Sequence, residues 1–258
     1  MKTKINGIEL AYGITGKNSP PLLLMHGFGL DHSIWFELVE KHVGEQQVIL
    51  PDLRGHGESD IPSGPYTMSL LAQDMAEILD DLQVERAIVC GHSMGGYVAL
   101  AFAEQYPGKI AGLGLITTNA VSDSPEKRRN RYALIDEIQA KGSSAVADNL
   151  APRLSNKPAV IRQAHALISQ CDPGGLIGSL QGMAEREDKM ACLREITVPA
   201  LVVAGKEDQI TDVLGAQDMA KALPQGTFFE IPKVGHMPML EDTAALGQAL
   251  QSLVNRVT

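Results

Sequence analysis

The sequence predicts an α/β protein: a mostly parallel, eight-stranded central sheet flanked by helices, with a small helical segment inserted between strands 6 and 7. Three observations carry this. Runs such as Leu22-Leu23-Leu24-Met25, Ala87-Ile88-Val89-Cys90 and Ala200-Leu201-Val202-Val203-Ala204 are apolar without alternation, as expected of strands buried on both faces. Between such runs lie stretches with apolar residues at helical spacing, an order that lays helices on a parallel sheet. From about Thr118 to Arg194 the alternation stops, leaving helix signals without strands.

Thr3 to Thr15 reads as two short strands around Asn6-Gly7, a favoured hairpin turn pair. The chain breaks at Gly16-Lys17-Asn18-Ser19-Pro20-Pro21, and Leu22 to Met25 forms the next strand. A helix is predicted from His32 to about Val43, with Ile34, Trp35, Leu38 and Val39 on one side. Val48-Ile49-Leu50 is a strand, and Leu70, Leu71, Met75, Ile78, Leu79 and Leu82 mark a helix from Ser69 to about Leu82. The strand ending at Cys90 leads through Gly91-His92-Ser93-Met94-Gly95 into a helix over Tyr97 to Tyr106, and Ile110 to Ile116 is a further strand. Three helix starts follow, at Ser124-Pro125, at Asn156 with Pro158 and at Asp172-Pro173, each a capping residue before an early proline. The sheet pattern returns at Pro199 to Gly205, followed by a helix (Val213 to Leu223), a strand (Thr227 to Ile231) and a last helix (Thr243 to Val254). We therefore expect a core of residues 1–117 and 195–258 and a helical cap of 118–194.

The 258 residues carry a net charge of −9, which argues against nucleic acid or an anionic membrane as partner. No apolar run is long enough to span a membrane, and the N-terminus lacks the apolar stretch of a signal peptide. Cys90, Cys171 and Cys192 form neither a disulfide framework nor a C-x-x-C pair. A cytoplasmic protein is expected. Nothing in the sequence calls for a metal or an organic cofactor, and the oligomeric state stays open.

G-x-S-x-G between a buried strand and a helix is the context of a nucleophile elbow. Ser93 is then expected with strained dihedrals at the positive end of the new helix, and Gly91 and Gly95 lack Cβ atoms where helix and strand approach. A serine hydroxyl needs a neighbouring base. Of the seven histidines, His236 lies in a loop just past a strand end. His56 is the rival, His26 shapes the turn after its strand, His92 sits inside the elbow where its backbone matters most, and His32, His42 and His165 look helical and ordinary. Asp208, after Gly205 at a strand end, fits the acid that orients the imidazole, with Glu207 and Asp212 as fallbacks. The order Ser93, Asp208, His236 is the one such an elbow fold uses. The oxyanion donors are expected to be the backbone N–H groups of Met94 and of Phe28 in His26-Gly27-Phe28-Gly29.

The motifs L-L-L-M-H-G-F-G, P-D-L-R-G-H-G-E-S, G-H-S-M-G-G, V-P-A-L-V-V-A-G-K-E-D and V-G-H-M-P-M-L-E, in this order along the whole chain, resemble an α/β-hydrolase. That resemblance implies a mostly parallel sheet with a helical cap between its sixth and seventh strands, Ser93 as nucleophile, Asp208 as acid, His236 as base, and Phe28 and Met94 as oxyanion donors. Within the family, the short cap and G-M-A-E-R-E-D-K resemble 3-oxoadipate enol-lactonases and small carboxylesterases. A serine nucleophile speaks against haloalkane dehalogenases and epoxide hydrolases. The expected activity is hydrolysis of a small carboxylic ester or lactone through an acyl-enzyme on Ser93. The alternatives are carbon–carbon bond hydrolysis, acyl transfer or perhydrolysis on the same triad, or a ligand sensor that has kept it.

Overall fold

The computed structural model describes residues 1–257. Its eight strands are β1 (Lys2–Ile5), β2 (Ile8–Thr15), β3 (Asn18–Met25), β4 (Gln46–Pro51), β5 (Ala87–His92), β6 (Ile110–Ile116), β7 (Ala200–Gly205) and β8 (Gly226–Ile231). They form one sheet in the order β1-β2-β4-β3-β5-β6-β7-β8. The β1–β2 and β2–β4 pairs are antiparallel and all others parallel. Strands β5, β6 and β7 are buried at every position, which is why their sequences carry no polar alternation.

Helices α1 (Phe36–His42), α2 (Met68–Asp81), α3 (Met94–Gln105), α8 (Val213–Ala222), α9 (Pro238–Glu241) and α10 (Thr243–Val257) accompany the sheet. α1 packs on α10 and α2 on α3. Four helices lie between β6 and β7: α4 (Pro125–Lys141), α5 (Ser144–Leu154), α6 (Pro158–Gln170) and α7 (Pro173–Ala184). No helix among the described residues is long and apolar enough to cross a membrane.

The structure corrects several element boundaries. β3 begins at Asn18, through the predicted break, because its ladder is irregular between Asn18 and Leu22 and so tolerates Pro20 and Pro21. The Gln46 side chain donates to the carbonyls of Asn18 at 2.8 Å and Pro20 at 2.5 Å, satisfying groups the ladder leaves out. The helix predicted from His32 opens as a 3-10 turn, His32–Trp35, capped by Asp31 on the Ser33 N–H at 2.8 Å. The helix after the elbow starts at Met94, earlier than Tyr97, and α2 starts at Met68 behind Thr67.

α5 carried no start signal. It holds Pro152 and buries mostly alanine, with Val146 and Leu154, so tertiary packing rather than a strong apolar stripe holds it. Ser124 and Asp172 cap α4 and α7 as predicted. Asn156 does not cap α6; the N-cap is Lys157, without a side-chain bond, and Asn156 donates to Glu207 at 3.2 Å.

Candidate active site

β5 delivers Ser93 at φ 52°, ψ −112°, a conformation non-glycine residues rarely adopt. Strain of this kind costs on the order of 1–3 kcal/mol and persists only where neighbours impose it. Here the Ser93 N–H donates to Ile116 O at 3.0 Å, while its carbonyl accepts from Gly96 N at 2.9 Å and from Thr118 Oγ1 at 2.7 Å. A Cβ on Gly91 would sit 2.0 Å from Gly95 O, so strand and helix close this tightly only with glycine there. The half-buried Ser93 stands at the N-terminus of α3, where the helix dipole favours negative charge.

His236 lies in the loop after β8 and Asp208 in the turn after β7. His236 Nδ1 meets Asp208 Oδ2 at 2.8 Å, and both side chains are 1% exposed. Burial would raise the Asp208 carboxyl, but the bonds from His236, the Thr211 hydroxyl and the Ile210 N–H outweigh it and hold it below the ordinary carboxylate range. An ionised Asp208 accepts Nδ1–H and leaves Nε2 as the nitrogen that takes a proton. The fallback acids are otherwise engaged: Glu207 with Asn156, and Asp212 in capping α8.

The oxyanion expectation rests on Phe28 and Met94. Among the described residues neither N–H has an acceptor within the protein. The loop carrying Phe28 runs hard against the elbow: a Cβ on Gly27 would lie 2.7 Å from His92 Nδ1 and 3.2 Å from Ser93 Cβ. Two unpaired donors beside one hydroxyl are the arrangement that binding of developing negative charge requires.

His56, the rival base, meets no acid. Its Nδ1 donates to Arg54 O and its Nε2 accepts the Gly29 N–H, each at 3.2 Å. Burial first, then the neighbouring His26, pushes its pKa down to about 3, so it stays neutral and braces the loop behind Phe28. His26 plays a similar part, accepting Leu53 N at 2.9 Å. His92 donates through Nε2 to His236 O at 2.9 Å, and burial pushes its pKa well below the ordinary imidazole value. That side-chain link from the Ser93 turn to His236 carried no sequence signal, nor did Thr117 and Thr118, which the structure places beside it.

His32 is not ordinary: its Nδ1 bonds Asp52 at 2.7 Å. Asp31, His32 and Asp52 bring possible ligand atoms within 4.8 Å of one another. Their oxygens already serve the backbone, Asp31 on Ser33 N and Asp52 on His32 N and Glu58 N. His42 sits in α1 against Gly247, and His165 pairs with Asp148 on the surface.

The segment between β6 and β7 touches this edge directly. Leu154 O accepts the His236 N–H at 2.9 Å, and Cys171 Sγ lies 3.4 Å from Gly29 O. A Cβ on Gly29 would meet Ile168 at 3.2 Å and Leu176 at 3.7 Å.

Residues 22–249 match the model of the Alpha/beta hydrolase family. A malate-bound thermophilic esterase from Thermogutta terrifontis superposes with a TM-score of 0.95 and 36% identity, over 100% of this chain and 98% of that one. The enol-lactonase from Burkholderia xenovorans gives a TM-score of 0.91 at 28% identity, over 99% and 100% of the two chains. 3-Oxoadipate enol-lactonase 2 of Acinetobacter baylyi is 27% identical over 256 residues, 96% of this chain and 94% of its own length.

Proposed function

The chain belongs to the alpha/beta hydrolase family, and on that premise we propose that it hydrolyses small carboxylic esters or lactones through an acyl-enzyme on Ser93. The observation that carries this reading is the Asp208–His236 pair, bonded at 2.8 Å on the same sheet edge as a strained Ser93 and two unpaired N–H groups. The esterase and lactonase likeness over the full chain supports the substrate class.

In this mechanism Ser93 Oγ attacks the substrate carbonyl as His236 Nε2 takes its proton. Asp208 holds the Nδ1–H tautomer and balances the imidazolium. The oxyanion that forms points at the Phe28 and Met94 N–H groups, and losing one such donor costs about 10²–10³ in rate. His236 returns the proton to the leaving alkoxide, and the acyl group stays on Ser93. Water, deprotonated by His236, then attacks the acyl carbonyl, the bond to Ser93 Oγ breaks, and His236 returns the proton to Ser93 Oγ as the acid is released. Ser93 Oγ makes no hydrogen bond among the described residues; such bonds are often open until substrate arrives.

Residues 118–194 act as a cap over a core of 1–117 and 195–258. Ile168 and Leu176 press on the loop that offers Phe28, so they bound the acyl side of the site. The three cysteines are unpaired, which suits a reducing, cytoplasmic setting. The test is activity across p-nitrophenyl esters and lactones of graded chain length. kcat/KM should rise by up to about 0.8 kcal/mol per methylene that fits and then fall, and Leu176→Ala should move the optimum to longer chains. A rate that keeps rising to lipid-like esters contradicts the cap; absence of turnover on the whole panel contradicts the activity.

A further inference from the structure

Thr117 and Thr118 directly follow β6, and both hydroxyls are engaged on the site. Thr117 Oγ1 donates to the carbonyl of His236 at 3.0 Å, and Thr118 Oγ1 to the carbonyl of Ser93 at 2.7 Å. Residues far apart in sequence are thereby tied to two consecutive residues just past one strand. An extended strand would send neighbouring side chains to opposite faces. Thr117 instead has φ 41°, an outlier for a β-branched residue. It is buried, and its N–H is anchored on Val203 O at 2.8 Å. The receiving side is shaped to match. A Cβ on Gly96 would fall 2.5 Å from both Oγ1 and Cγ2 of Thr118, so the first turn of α3 carries a notch for that side chain. The His236 carbonyl takes its second bond from His92 Nε2 at 2.9 Å.

We propose that Thr117 and Thr118 are positioning residues that set the separation between base and nucleophile. They touch neither substrate nor reacting atoms. Each fixes the peptide from which a catalytic side chain hangs, and backbone strain at Thr117 is tolerated because it aims the two hydroxyls together. This rests on the roles proposed above for Ser93 and His236. A misplacement of about 1 Å is enough to cost on the order of 10²-fold in rate.

The test compares Thr117→Val and Thr118→Val, which remove a hydroxyl at constant shape, with Thr117→Ser and Thr118→Ser, which keep it. Ser93→Ala is the control. The readouts are kcat and KM for p-nitrophenyl acetate, the rate of phosphonylation by a fluorophosphonate, and Tm. The valine variants should lose about 10–100-fold in kcat with KM within about twofold, phosphonylation slowing in parallel. The serine variants should recover to within about threefold of wild type. Val carries the same β-branch as Thr, so backbone strain is equal in both. Wild-type kcat in the valine variants overturns the inference while Ser93→Ala stays inactive, even if Tm falls. Serine variants as slow as the valine ones overturn it too. An active Ser93→Ala instead removes the reading beneath it, and the inference with it. If Thr117→Val does not fold, the Thr118 pair decides on the same criteria.

Discussion

His236 meets Asp208 at 2.8 Å and His32 meets Asp52 at 2.7 Å, each through Nδ1. As isolated pairs they are nearly alike. Asp52 is fully buried and His32 22% exposed, on a cleft of about 500 Å³ lined with Leu30, Phe36, Leu167 and Cys171. The neighbouring Ser33 gives its hydroxyl to Asp31 and sits in an ordinary 3-10 turn. Beside His236, by contrast, stand a strained serine at a helix N-terminus and two N–H groups without acceptors. An Asp–His pair is therefore only a way to orient an imidazole. A serine in a strained strand–helix turn with two N–H groups lacking acceptors nearby makes the difference, and it is this that supports the proposed roles of nucleophile and oxyanion receptor.

The largest expected effect separates the two serines. Ser93→Ala should lower kcat by about 10⁶, whereas Ser33→Ala should leave it unchanged; p-nitrophenyl acetate turnover reads both. Equal losses would erase the distinction.

Next, the two aspartates should part company. Asp208→Asn favours the wrong imidazole tautomer and should cost on the order of 10⁴ in kcat. Asp52→Asn should keep kcat within a few-fold but lose roughly 1–3 kcal/mol in urea unfolding, because Asp52 accepts the N–H groups of His32 and Glu58. Reversed sensitivities would mean that the catalytic pair has been misassigned.

The smallest effect is on stability against pH. His56 protonates in the fold only near about 3, against an ordinary 6.5. Between those values the unfolded chain binds a proton that the fold excludes, so stability falls with falling pH, by roughly 1 kcal/mol per unit. Replacing it by His56→Gln should flatten that limb. His32 runs the other way. The Asp52 bond raises it, so its contribution is complete below 6.5 and fades as pH rises through its folded value. Urea midpoints from pH 4 to 9 should show Asp52→Asn losing this upper slope; a slope unchanged in both variants would count against these assignments.

Much of the fold was legible because its signals are local. Unbroken apolar runs mark β5, β6 and β7, and Ser124-Pro125 and Asp172-Pro173 mark the starts of α4 and α7. α5 was not, since its alanine-rich face and Pro152 carry weak propensity that only packing rescues. Asn156 looked like a cap until Glu207, brought near by the fold, claimed its side chain.

By itself the sequence determined the order of strands and helices, the elbow around Ser93 and the set of residues available for chemistry. These depend on hydrophobic period, glycine spacing and cap chemistry, all read within a few residues. Only the tertiary structure decided which pairings are made. It bonded His236 to Asp208, the acid preferred from the sequence, gave His32 its own aspartate, turned His56 into a brace, and joined Thr117 and Thr118 to the carbonyls of His236 and Ser93. Hydrogen bonds between strand ends depend on sheet order and on tenths of an ångström in backbone placement, and neither is written in any local stretch of sequence.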